Sequence, residues 1–135
     1  MTDYFDLDLN QGELMNVSSL GLAHLGDAVF ELLVRSWVCV HGTTKIKDLH
    51  KQTVRFVSAP AQAAMVERIL PLLSPEEADV LRRGRNAAPH SIAKSATRSQ
   101  YQTATALEAL FGWLWLQGRS RRLNELFDAM MEGEE

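Results

Sequence analysis

The stretch from residue 18 to residue 37, SSLGLAHLGDAVFELLVRSW, sets the terms on which this chain can fold. Read as a helix, it is apolar on nearly every side: Leu20, Leu22, Ala23, Leu25, Ala28, Val29, Phe30, Leu32, Leu33 and Val34 cover most of its circumference. A helix of that kind is expected inside its domain, packed by other elements. Asp27 stands at its centre, with His24 three residues before, Glu31 four after and Arg35 four beyond that. Those offsets place the four on one narrow polar line. A carboxylate in apolar surroundings is costly unless it is paired or bound to a metal. What Asp27 is paired with is the question the rest of the chain has to answer.

The remaining segments read as further helices. Ser18 or Ser19 caps the first, which runs to about Val40 and stops at Gly42. A second is expected over about 46–56 and a third from a Ser58 cap to about Leu70, with Pro60 tolerated in its first turn. SPEEADVLRRG carries the clearest local signal: Ser74 as N-cap, Pro75 at the first helical position, Glu77 completing a capping box and Gly84 as the stop. Residues 85–97 have no periodicity and read as a flexible basic loop. A second mostly apolar helix spans about Arg98 to Gln117, and a last amphipathic one about 120–132. No alternating strand pattern appears, so the expected fold is all-α: an acidic arm over 1–17, then one helical domain over 18–135 built around two buried helices.

The second apolar helix repeats the peculiarity of the first. Apart from the phenol of Tyr101, Glu108 is its one titratable group between Arg98 and Arg119, with Thr105 and Gly112 on the same face. Each helix also holds a glycine near its carboxylate, Gly26 and Gly112. A helical glycine costs about 1 kcal/mol relative to alanine, so a reason such as close backbone approach is expected. If the two helices pack together, Asp27 and Glu108 can face each other, and a divalent cation between them would relieve their repulsion. Hard oxygen donors, with waters completing an octahedron, suit Mg²⁺. Read alone, either acid is more often a satisfied structural group than a catalyst. Glu31 is either a neighbour of the metal pocket or the partner of Arg35 in an ordinary (i, i+4) pair. His24 has no partner at ligand spacing, and Trp37, Trp113 and Trp115 are read as core or interface.

Charge is unevenly placed. The net charge of -3 excludes a chain that is basic throughout, and residues 1–34 hold six acids and no Lys or Arg. Residues 82–98 hold Arg82, Arg83, Arg85, Lys94 and Arg98 and no acid, either a solvated loop or a surface for a polyanion. The single Cys39 excludes an intrachain disulfide and a cysteine zinc cluster. The N-terminus lacks the pattern of a signal peptide, and no apolar run reaches the roughly 20 residues of a membrane span. A cytoplasmic protein is expected.

Two stretches carry a resemblance. HLGDAVFELLV resembles the acidic signature helix of the ribonuclease III family, E-R-L-E-F-L-G-D, at Leu22, Leu25, Gly26 and Asp27. ALEALFGWLWL resembles the second acidic motif of that family, D-x-x-E-A-x-x-G, at Glu108, Ala109 and Gly112. The two glutamates of the first signature fall at Leu20 and Ala23, and the aspartate of the second at Thr105. Two of the four usual pocket carboxylates are thus absent, at Ala23 and Thr105. That pattern is similar to Mini-ribonuclease III, a short branch of the family that lacks a separate double-stranded-RNA-binding domain. DLHKQTVRFVSAPAQA, the RRGRNA stretch and Lys94 extend the likeness over nearly all of the chain after its arm, and no second domain is expected.

The resemblance implies an endoribonuclease that cuts both strands of duplex RNA as a homodimer and leaves 5′-phosphate and 3′-hydroxyl ends. Its substrate class in the short branch is precursor 23S ribosomal RNA. Asp27 and Glu108 would bind Mg²⁺, with Mn²⁺ able to substitute, and Glu31 and Thr105 would stand behind them. Arg82, Arg83, Arg85, Lys94 and Arg98 would contact phosphates of the duplex. The competing readings are a non-catalytic duplex-RNA-binding module on a degenerate ribonuclease III fold, and a helical adaptor with buried salt bridges.

Overall fold

Side-chain caps open five of the seven described α-helices in the computed structural model, which describes residues 1–42, 45–89 and 96–134. Asn10 and Glu13 form a capping box that starts a short helix, α1 (Gln11–Met15), inside the stretch expected to be an irregular arm. Ser18 Oγ accepts from the Gly21 amide and opens α2 (Ser19–His41). α3 (Ile46–Val57) and α4 (Ala59–Ile69) meet at Ser58, which ends the first and caps the second. A 3₁₀ turn, Leu70–Leu72, extends α4. The Ser74–Glu77 capping box starts α5 (Pro75–Ala87), and a Thr97–Gln100 box starts α6 (Arg98–Leu116). α7 is Ser120–Met130. The described residues form no strand, and the all-α expectation holds.

α6 is the axis of the bundle. Ala104 to Leu114 are buried along it except for Glu108, and α2, α4 and α5 pack around it. Phe30 meets Phe111 and Phe127 edge-to-face at 5.8 and 6.3 Å, and Val34, Leu107, Leu110, Leu114 and Leu126 complete the centre. Trp113 is buried, Trp37 lies against His41 and Phe56, and Trp115 against Phe5; the tryptophans serve packing.

Three expectations need correction. α2 is not enclosed on all sides: Leu20, His24, Ala28, Leu32, Ser36 and Val40, spaced four apart, form an exposed ridge. Gly84 does not end α5, which continues to Ala87. A Cβ at Gly84 would stand 2.8 Å from Ala109 Cβ and 3.1 Å from Ala106 Cα, so this glycine serves close packing on α6 inside the helix. The expected loop of 85–97 therefore begins no earlier than Ala88, three residues after Arg85, and 90–95 lie outside the described residues. The 1–17 stretch makes defined contacts with the end of α6. The Leu9 amide donates to the Leu116 carbonyl at 2.9 Å, and Gly118, at φ +69°, passes under the Leu7 carbonyl where a side chain would collide.

Candidate active site

The site is made by the crossing of α2 and α6. A Cβ at Gly26 would overlap the main-chain carbonyl of Glu108, and one at Gly112 would overlap the carbonyl of Leu22. Two backbones in direct contact leave no room for side chains between them, which is the reason for both glycines. The residue after Gly26 is Asp27, and the carbonyl that Gly26 touches belongs to Glu108. The crossing therefore sets the two carboxyls side by side.

Asp27 is exposed, contrary to the expectation of a buried acid, and Glu108 is half-buried. Burial first, then the negative charge and hydrogen bonding of Asp27, push the Glu108 carboxyl up to about 8, against an opposing hydrogen bond from Gln62. The pair is thus a site of stored repulsion that a proton or a cation relieves. Among the described residues no third His, Cys, Asp or Glu joins it.

The surrounding polar groups are committed elsewhere. Glu31 pairs with Arg35 at 2.8 Å, the ordinary (i, i+4) reading of the two considered. The Thr105 hydroxyl, buried, donates to the Tyr101 carbonyl at 3.0 Å. Ala23 is buried and offers no oxygen donor. Gln62 is a site residue that the sequence motifs do not mark. It is 2% exposed and reaches Glu108 from α4. The available signal is its position: Gln62, Met65, Val66 and Ile69 form the apolar face of α4 at i, i+3, i+4, i+7, a place where an amide needs a reason.

The basic residues divide. Arg82 and Arg83 both lie on α5 and hold the two oxygens of Asp79, with Arg83 Nε at 3.0 Å from Oδ2. The Arg82 hydrogen bond, foremost, and the charges of both arginines hold the Asp79 carboxyl below its usual range. Arg85 donates to the hydroxyls of Thr103 and Ser99 and so ties α5 to the first turns of α6. Arg98 is the exposed first residue of α6, and Lys94 lies outside the described residues.

Residues 20–119 match the ribonuclease III domain, a span that holds both glycines and both carboxylates of the crossing. The chain belongs to the ribonuclease III family. It is 43% identical to a Mini-ribonuclease 3 of Symbiobacterium thermophilum over 85% of this chain and 88% of that one. It is 44% identical to a Mini-ribonuclease 3 of Brevibacillus brevis over the same shares, and 40% identical to one of Synechocystis over 93% and 92%. A crystal structure of a Fusobacterium nucleatum protein superposes with a TM-score of 0.79 at 30% identity, covering 89% of this chain and 96% of that one. A ribonuclease III member of this kind is an endoribonuclease of double-stranded RNA, which decides against the non-catalytic module and the adaptor. No helix among the described residues is long and apolar enough to cross a membrane.

Proposed function

We propose that this ribonuclease III member hydrolyses duplex RNA with a divalent cation, Mg²⁺ or Mn²⁺, held by Asp27 and Glu108, acts as a cytoplasmic homodimer, and matures precursor 23S ribosomal RNA. The observation that carries the reading is the contact of Gly26 with the backbone of Glu108, which makes neighbours of two carboxylates 81 positions apart in sequence. The donor set fits a hard cation: two neighbouring carboxyl groups, with Glu108 raised by burial first and then by the charge of Asp27, and Asp27 exposed so that waters and phosphate oxygens can fill the other positions. When bound, such an ion polarises a phosphate oxygen and lowers the pKa of a water molecule. Asp27 and Glu108 are the residues that would hold and orient it, with Glu108 in its deprotonated form.

Duplex RNA suits a site on an exposed helix face. Its wide, shallow minor groove is read by shape through phosphates and 2′-hydroxyls. Arg82, Arg83, Arg85, Lys94 and Arg98 supply the phosphate contacts in this reading. Arg82 and Arg83 exchange Asp79 for phosphate, and Arg85 stands beside the Ser99 and Thr103 hydroxyls. The exposed ridge of α2, with Leu20, Ala28 and Leu32 beside Asp27, supports a twofold contact that sets two sites against two strands. The ribosomal substrate rests on the likeness to the Mini-ribonuclease 3 relatives.

Asp27→Asn tests the reading. The variant should remain folded and dimeric by sedimentation yet lose cleavage of a duplex in Mg²⁺, and EDTA should abolish wild-type cleavage. Persistent cutting by the variant sinks the assignment. Sequencing the RNA ends that change when the protein is removed from its host tests the ribosomal substrate.

A further inference from the structure

The Gln62 side chain is almost fully buried between α3, α4 and α6, and its three hydrogen-bonding positions are unequally filled. Its Nε2 donates to the Val57 carbonyl at 3.0 Å, closing an acceptor at the end of α3 that has no partner within that helix. The same amide donates toward Glu108. Oε1 is buried and meets no donor among the described residues. Turning the amide over offers no escape, because Oε1 would then face the Val57 carbonyl, acceptor against acceptor. A buried carbonyl oxygen without a donor costs about 1–3 kcal/mol, and such atoms are few in folded proteins. A leucine or methionine of similar size would remove that cost and would leave the Val57 carbonyl without its donor. The amide lies beside Glu108, at the pocket from which carboxylates are absent at Ala23 and Thr105.

We propose that Gln62 is the third, uncharged member of the cation pocket: its N–H holds the Glu108 carboxylate in place, and its Oε1 accepts a hydrogen bond from a water that hydrates the cation. The assignment rests on the reading of Asp27 and Glu108 as cation ligands. Gln62 is a positioning residue, acting on the phosphate only through Glu108 and the hydrated ion. A neutral oxygen here supplies orientation without a third negative charge, which the Asp27–Glu108 pair would resist. Partners of metal ligands typically contribute ten- to a hundredfold to affinity or activity.

The test is a calorimetric titration of MgCl₂ into the full-length, RNA-free protein, with Gln62→Leu and Gln62→Met beside wild type. Both variants should bind Mg²⁺ at least about tenfold more weakly while remaining folded in EDTA, where the lost Val57 bond and the relieved Oε1 act in opposite directions on the melting temperature. Cleavage should fall in kcat with KM for the duplex unchanged, and excess Mg²⁺ should restore it. Either variant that folds is sufficient for the comparison. Wild-type affinity in both overturns the assignment and leaves Gln62 as a cap for α3. A wild-type protein that takes up no Mg²⁺ overturns the two-carboxylate reading itself, and this assignment with it.

Discussion

Gly26 lies directly against the main-chain carbonyl of Glu108, and this contact sets the position of the whole site. Gly112 makes the reciprocal contact on the carbonyl of Leu22 one turn away, so the two helices cross at glycines from both sides. The juxtaposition of Asp27 and Glu108 is thus a consequence of the packing of the core. A change that opens the crossing moves Asp27 away from Glu108 even if both side chains remain.

The first prediction concerns that crossing. Gly26→Ala puts a methyl group into backbone atoms of α6, which cannot swing aside as a side chain would. Overpacking of this kind costs about 3 kcal/mol or more, and in a domain of this size lowers the melting temperature by roughly 10 °C. Thermal denaturation of Gly26→Ala and Gly112→Ala measures it, and a decrease under about 2 °C in both would contradict the close approach. Cleavage should fall further than the residual folded fraction explains.

Much of this was legible in the sequence because it rests on local chemistry. The Ser74–Glu77 box names the start of α5, and two glycines beside two lone acids announce a close crossing. Other features depend on geometry that no local pattern contains. Gly84 has the composition of a stop signal, and only the packing of Ala106 and Ala109 shows that it is an interior contact. Asp27 sits in an apolar run and is nonetheless exposed, because α2 turns one ridge outward. Gln62 is one amide among alanines, and its meaning appears only when α4 is laid against Glu108.

The second prediction is a pH dependence. Glu108 titrates near 8 in the folded protein and near its ordinary 4.5 when unfolded. Between those values the native state holds the extra proton, so the metal-free protein loses stability as pH rises from about 4.5 through 8. The loss is on the order of a few kcal/mol, with the coupling to Asp27 spreading it over the pair. Glu108→Gln should flatten the curve in urea denaturation at a series of pH values. Mg²⁺ competes with the proton, so its apparent affinity should climb over the same range in wild type. A flat stability profile in EDTA would refute the assignment.

The third prediction separates phosphate contact from internal pairing. Arg82 and Arg83 share the carboxylate of Asp79, which on the proposed reading would compete with RNA for both. Replacing either arginine by alanine should weaken duplex binding and reduce the slope of log K against log salt by roughly one unit for each phosphate left without its guanidinium. Asp79→Asn should act in the opposite direction and tighten binding at low salt, since it frees both guanidinium groups. Fluorescence anisotropy in EDTA, where the proposed cation is absent, reads all three. Unchanged slopes would move the grip away from α5.

The last prediction concerns what holds α5 and α7 together. Glu77 is 1% exposed and accepts two bonds from Arg122, Nε to Oε2 and Nη2 to Oε1, each at 2.8 Å, while Oε1 also receives the Ser74 amide. The Arg122 hydrogen bonds, foremost, hold the Glu77 carboxyl below its usual range. Arg122→Met strands that carboxylate in the interior, and breaking a buried pair from one side costs about 3–5 kcal/mol. The double change Glu77→Gln with Arg122→Met should recover much of the loss, because glutamine still completes the capping box and carries no charge. The pH sign is opposite to that of Glu108. The stabilisation from Glu77 is fully present above about 4.5 and disappears as pH falls below it, so Glu77→Gln should be less sensitive to acid than wild type. Denaturant unfolding of the four proteins at about pH 7 and about pH 3.5 checks both parts, and a double variant no more stable than Arg122→Met would show that the pair is not what Glu77 needs.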